Sequence, residues 1–362
     1  MIIFLCKKLT AYITNNIAQQ ISLSMLQKLL ICFQLLCALS LPAFAQNKYS
    51  DLNFQAVDDF ARTVRYNGDL QELTNTLTSP YTDSIYKLRA VFIWITDNIE
   101  YDYKLFNSGS NEWNHFACSG SKAACAQARE DFENKLLEHV LDKKKGVCNG
   151  YAKLFKKMCG MAGIQNEMVD GYVKKTPFQV GLVLSVSHSW NVVKLGGVNY
   201  YFDITWAAGG CRQDEESGKL LDFVKRYQDF YWQTPRHKFI RNHFPKDEKW
   251  IAETGYTKEQ FFNAPYFYPN DLTKNIESHA PDSGVIKIRA GDTLHFKFSF
   301  KKPIRNIQVN TNNYKNVEIS LINKPEWENN VYQFDYIVKE NSLYYIEILF
   351  DSKECIRYKV KY

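Results

Sequence analysis

The sequence is short of the features that would mark a nucleic-acid binder, a fibrous array or a metalloprotein. It has no internal repeat, no low-complexity tract and no clustered acidic loop of the kind that holds calcium. The net charge of its 362 residues is +6. However, residues 1–45 contain Lys7, Lys8 and Lys28 and no acid, which leaves 42 basic against 39 acidic residues beyond them. That near-balance gives no case for nucleic acid as a partner. Cysteine is sparse too. Nine are present, and the six after residue 45 (Cys118, Cys125, Cys148, Cys159, Cys211 and Cys355) are too few for a disulfide-built scaffold at this length. His115, Cys118 and Cys125 have no second ligand pair to match them, so neither zinc nor any other cofactor is expected.

What is present begins with a leader. Met25 to Lys28 is a short basic start, Leu29 to Leu41 is almost wholly apolar, and Ala43-Phe44-Ala45 ends it in a small-x-small pattern. Residues 1–45 therefore read as a signal peptide with Gln46 as the mature N-terminus, and residues 1–24 as extra sequence ahead of a start at Met25. The apolar run is too short for a membrane span, and the residues before Cys32 and Cys37 do not fit a lipoprotein site. The expectation is an exported protein, periplasmic or extracellular, with no membrane span after cleavage.

Apolar residues at helical spacing predict helices over 51–67, 82–99 and 129–142, with Thr82 or Asp83 capping the second. After Gly163 the pattern alternates, predicting strands over 168–174, much of 181–195, and 198–205. Short helices are expected next, and the segment 235–250 is expected to wrap the domain surface. Prolines at 265, 269 and 281 break all periodicity, so 271–290 reads as a linker. Period-two runs beyond it predict a β-sandwich over 291–362. The first domain would then be 46–270.

The chemistry centres on Lys143-Lys-Lys-Gly-Val-Cys148-Asn-Gly-Tyr-Ala. Gly146 ends one helix, and Tyr151, Leu154, Phe155 and Met158 mark the buried face of the next. Cys148 thus falls in a helix first turn, where partial positive charge and unpaired N–H groups favour a thiolate. A cysteine taken alone is more often a small core residue, so a base and an acid must be found. Gly196-Gly197 signals a two-residue hairpin turn. In that register paired residues sum to 393, and His188 and Asp203 project from one face as diagonal neighbours. Cys148 as nucleophile, His188 as base and Asp203 as its orienting acid form a set suited to acyl transfer through a thioester. The Cys148 backbone N–H is the first oxyanion donor, and the Trp113 indole a candidate second. His243, in His-Phe-Pro, is read as packing in a turn, and Cys159 and Cys211 as core or disulfide residues.

Gly146-Val-Cys148-Asn-Gly-Tyr-Ala, Ser187-His188-Ser-Trp190-Asn191-Val-Val and Tyr201-Phe-Asp203-Ile-Thr205-Trp206 resemble the three catalytic motifs of the transglutaminase-like superfamily. Residues 90–102 and 239–250 resemble the branch related to kyphoscoliosis peptidase. Over about residues 80–255 the resemblance implies a papain-like α+β core, helices packed on an antiparallel sheet, with a Cys-His-Asp triad. It leaves hydrolysis, cross-linking and deamidation open. The expected partner is a peptide or protein substrate, with an envelope protein partner docking through the C-terminal region. The alternative is a catalytically silent envelope scaffold.

Overall fold

The computed structural model describes residues 49, 52–109, 116–214, 216–313, 316–321 and 326–362; side chains of residues 312–327 are not considered. The leader, Trp113 and His115 lie outside the described residues. Residues 53–362 form one compact unit.

Its first half is helical. Helices α1 (Gln55–Thr63), α2 (Leu70–Thr78) and α3 (Ser84–Asn98) precede a short α4 (Tyr103–Ser108), then α5 (Lys122–Lys143) and α6 (Cys148–Met161). Asp83 is the N-cap of α3, and ten of that helix's residues are buried, which makes it the central helix of the core. Arg89 on α3 is buried and satisfied. Its Nε and Nη2 each donate to Asp58 at 2.7 Å, its Nη1 donates to Asp229 at 3.0 Å, and Trp232 lies under the guanidinium. Cys118 and Cys125, at the start of α5, form a disulfide.

A four-stranded sheet follows, in the order β3-β2-β1-β6: β1 (Asn166–Val173), β2 (His188–Leu195), β3 (Val198–Phe202) and β6 (His243–Pro245). The Gly196-Gly197 turn gives Leu195↔Val198 through Asn191↔Phe202, so paired residues sum to 393 as expected. The strand expected to run to Thr205 stops at Phe202. Asp203 instead caps α7 (Ile204–Ala208), its Oδ1 accepting from the Trp206 N–H at 3.0 Å. An aspartate that can satisfy a helix N-terminus favours ending the strand. Short helices form as expected at Asp229–Tyr231 and Arg236–Phe239, but β4 (Gly209–Gln213) and β5 (Leu220–Lys225) precede them as an unexpected hairpin.

The C-terminal β region is two facing sheets. One has the order β8-β10-β14-β13, from β8 (Ile276–Ala280), β10 (Thr293–Phe300), β13 (Glu326–Glu328) and β14 (Val331–Ile337). The other has the order β9-β16-β15-β11-β12, from β9 (Val285–Lys287), β11 (Ile307–Asn313), β12 (Asn316–Leu321), β15 (Leu343–Phe350) and β16 (Lys353–Lys361). Phe296, Phe298, Phe300, Ile346, Ile348, Phe350 and Tyr358 fill the space between them. The segment read as a linker, 271–290, holds the edge strands β8 and β9. The short β7 (Tyr266–Phe267) also pairs with β16.

Candidate active site

Helix α6 begins at Cys148, with Val147 as N-cap. Tyr151, Leu154, Phe155 and Met158 are fully buried, as their spacing requires. The helix is tied down at two points: the Tyr151 hydroxyl donates to the Ile99 carbonyl at 2.7 Å, and Asn191 Nδ2 donates to the Ala152 carbonyl at 3.0 Å. Asn191 is in β2, three residues from His188, so it ties the Cys148 helix to the His188 strand. Cys148 is half-buried in a cleft of about 620 Å³. Tyr101, Phe106, Phe132 and Val186 contribute its apolar walls, and Arg129, Lys153, Glu133 and Asp170 its charges.

His188 and Asp203 are brought together: His188 Nε2 lies 2.7 Å from Asp203 Oδ2, both groups buried. The indole of Trp206 stacks on the His188 ring with centroids 5.0 Å apart. Burial opposes ionisation of Asp203, but the charges and hydrogen bonds of His188 and His243 outweigh it and hold the carboxyl well below the usual range. An ionised carboxylate only accepts, so His188 must present a protonated Nε2 to it. That leaves Nδ1 to face Cys148. Burial disfavours the His188 cation too, yet Asp203 and Cys148 outweigh it and carry its pKa up to about 10. Burial also opposes the Cys148 thiolate. The hydrogen bond and charge of His188, with the Ser189 backbone N–H, overcome it and lower the thiol below its ordinary value. Both shifts favour a thiolate–imidazolium pair over a neutral one.

The other free thiols behave oppositely. Burial pushes Cys159 up to about 12, Cys355 to about 11 and Cys211 to about 11, the last with help from Asp222. Cys118 and Cys125, set aside as zinc ligands at the sequence level, are joined to each other.

One member of the site was not expected. His243 is not in a surface turn but on β6 in the interior, its Nε2 2.9 Å from the same Asp203 Oδ2. The segment 235–250 therefore enters the core at this point instead of wrapping the surface. Strand β1 makes the meeting: Gly171 pairs with His188 on one side, and Val173 pairs with His243 on the other. Residues 171 and 173 are two apart, so both imidazoles rise from one face. His188, Asp203 and His243 lie close enough to be considered as metal ligands. Both histidine nitrogens already hydrogen-bond to Asp203, however, and the space that an ion would need is taken up by those bonds.

The family model of the transglutaminase-like superfamily matches residues 71–206. Kyphoscoliosis peptidase of Mus musculus is 30% identical over 237 residues, 65% of this chain and 32% of that protein, and the Homo sapiens protein gives the same figures. Hillarin of Drosophila melanogaster is 27% identical over 230 residues, covering 60% of this chain and 25% of its own length. The chain thus spans about a third of the length of the curated relatives it matches, or less. A solved structure from Parabacteroides distasonis aligns at 10% identity and a TM-score of 0.25, covering 79% of this chain and 52% of that one, too low to argue from. Residues 71–206 thus form a transglutaminase-like domain, and the chain is similar to the branch related to kyphoscoliosis peptidase.

Proposed function

We propose that this protein is an exported, cysteine-dependent acyl-transfer enzyme acting on peptide or protein amide bonds, with Cys148, His188 and Asp203 as its catalytic residues. The observation that carries this reading is the half-buried Cys148 at a helix N-terminus, lowered by an imidazole that a buried carboxylate orients. Cys148 Sγ attacks the amide carbonyl carbon, and the developing oxyanion is met by the Cys148 backbone N–H. As the tetrahedral intermediate collapses, the C–N bond breaks and His188 Nδ1–H passes its proton to the leaving amine. A thioester remains. His188, now neutral, takes a proton from water or from an acceptor amine, whose attack releases the acyl group and regenerates the thiolate. Water gives hydrolysis and an amine gives cross-linking. The peptidase name of the 30% identical relatives supports placing hydrolysis first. The apolar 29–41 run before Ala43-x-Ala45, and the Cys118–Cys125 disulfide, support an oxidising destination.

The test is alkylation with iodoacetamide across pH, the modified residue mapped by mass spectrometry, with His188→Ala beside the parent protein. Cys148 should label selectively below the ordinary thiol range near pH ~8.5, and the variant should lose that low-pH reactivity. Peptide hydrolysis should need both partners charged. It should rise as the thiolate forms and fall as His188 loses its proton near pH 10. Labelling of Cys148 no faster than a free thiol would return the reading to a silent scaffold.

A further inference from the structure

We infer that His243 is a positioning residue: it supplies the second N–H that fixes the Asp203 carboxylate, and through it the His188 ring facing Cys148. This rests on the catalytic reading above and adds to it a residue outside the stretch 71–206 that the family match covers.

Asp203 is pinned at both oxygens. Oδ1 accepts the Trp206 N–H at 3.0 Å, while Oδ2 accepts His188 Nε2 at 2.7 Å and His243 Nε2 at 2.9 Å. Without His243, Oδ2 would keep only the contact to the ring it is meant to orient, and the carboxylate could turn about its last torsion with that ring. Because the carboxylate only accepts, His243 must carry its proton on Nε2, the same tautomer imposed on His188. With Oδ2 held by two donors, the His188 ring is kept in one orientation, its Nδ1 free for Cys148.

The surroundings of His243 fit a rigid donor better than a second base. It is 1% exposed, stacked on Phe239 with centroids 4.0 Å apart, and edged by Trp190 and Trp206 at 5.2 and 4.6 Å. The titratable groups facing it are Asp203, His188 and Tyr231, and burial holds Tyr231 in its neutral form. Burial lowers the His243 pKa against the opposing hydrogen bond and charge of Asp203, with a smaller lowering from His188. It lines no part of the cleft and does not reach the sulfur.

The experiment compares three full-length proteins, parent, His243→Phe and His243→Gln, by the pH profile of Cys148 alkylation with iodoacetamide and by thermal melting. Phe keeps the ring stack and removes the donor, whereas Gln offers an amide N–H near the position of Nε2. The expected result is that His243→Phe slows low-pH labelling by about ten- to hundredfold, the worth of one hydrogen bond to a charged group. Its acid limb should move to higher pH, and His243→Gln should restore most of both. If the parent labels fast at low pH and His243→Phe matches it, the inference is wrong and the Cys-His-Asp reading stands. Equal slowing in the folded Phe and Gln variants would assign His243 to packing and overturn it as well. If Cys148 of the parent labels as an ordinary thiol, the catalytic reading falls and this one falls with it.

Discussion

At the scale of single residues, the site depends on which atom of each group is committed. Asp203 accepts three N–H groups and has nothing to donate, so His188 is held in one tautomer. Asp203→Asn replaces one oxygen by an NH2 group that must face one of those donors. Turnover on a peptide substrate should then fall by about 10²–10⁴-fold, the range for a displaced general acid–base group, with little change in KM. A KM rise at unchanged kcat would show that Asp203 serves substrate binding. The place of Cys148 at a helix start and the meeting of His188 with Asp203 were legible in the sequence because each clue is local: a glycine before a helix for Cys148, and a two-residue turn fixing the parity of the other pair. His243 was not. Its partner strand lies some seventy residues earlier, and no pattern within His243-Phe-Pro indicates which strand it will join.

At the scale of elements, β1 is the strand on which the site is aligned. It has β2 and its His188 on one side, β6 and its His243 on the other, and Gly171 pairs with both neighbours. A Cβ added at Gly171 would stand 2.2 Å from the Phe244 carbonyl oxygen and 2.4 Å from the Trp190 ring, so only glycine fits. Gly171→Ala should cost about 1–3 kcal/mol in denaturant unfolding, as overpacking does, and should slow Cys148 labelling because the two histidine strands must part. Unchanged labelling in a destabilised variant would show that strand spacing does not set the site. The helices were readable from period and caps. The strand expected to reach Thr205 was misread because alternation continues past Phe202, while Asp203 finds a better use as a cap. The edge strands β8 and β9 were hidden by the prolines around them, which sheet edges tolerate.

At the scale of the whole molecule, the β region is not an appendage. Lys174 is fully buried in the core, and its Nζ donates to the Ala264 carbonyl at 2.8 Å. Arg241 donates to the carbonyls of Thr273 and Ile276 at 3.1 and 2.9 Å, Asn242 Nδ2 to that of Phe267 at 2.6 Å, and Lys238 pairs with Glu277 at 2.6 Å. Arg241 and Asn242 immediately precede His243, and Lys238 lies one helical turn further back. A chain ending at Asn263 should therefore melt at lower temperature and label more slowly at Cys148, even though it keeps every residue of the proposed catalytic set. Equal labelling by the two would make the β region independent of the site.

The same stitching sets an order of assembly. Phe267, which holds Asn242, is itself a strand residue paired with Ile356. During synthesis this support for the segment bearing His243 is complete only once residues 353–361 have been added. Cys148, His188 and Asp203 are all made long before that, so the proposed catalytic set gains its last support from a part of the chain that carries none of its chemistry.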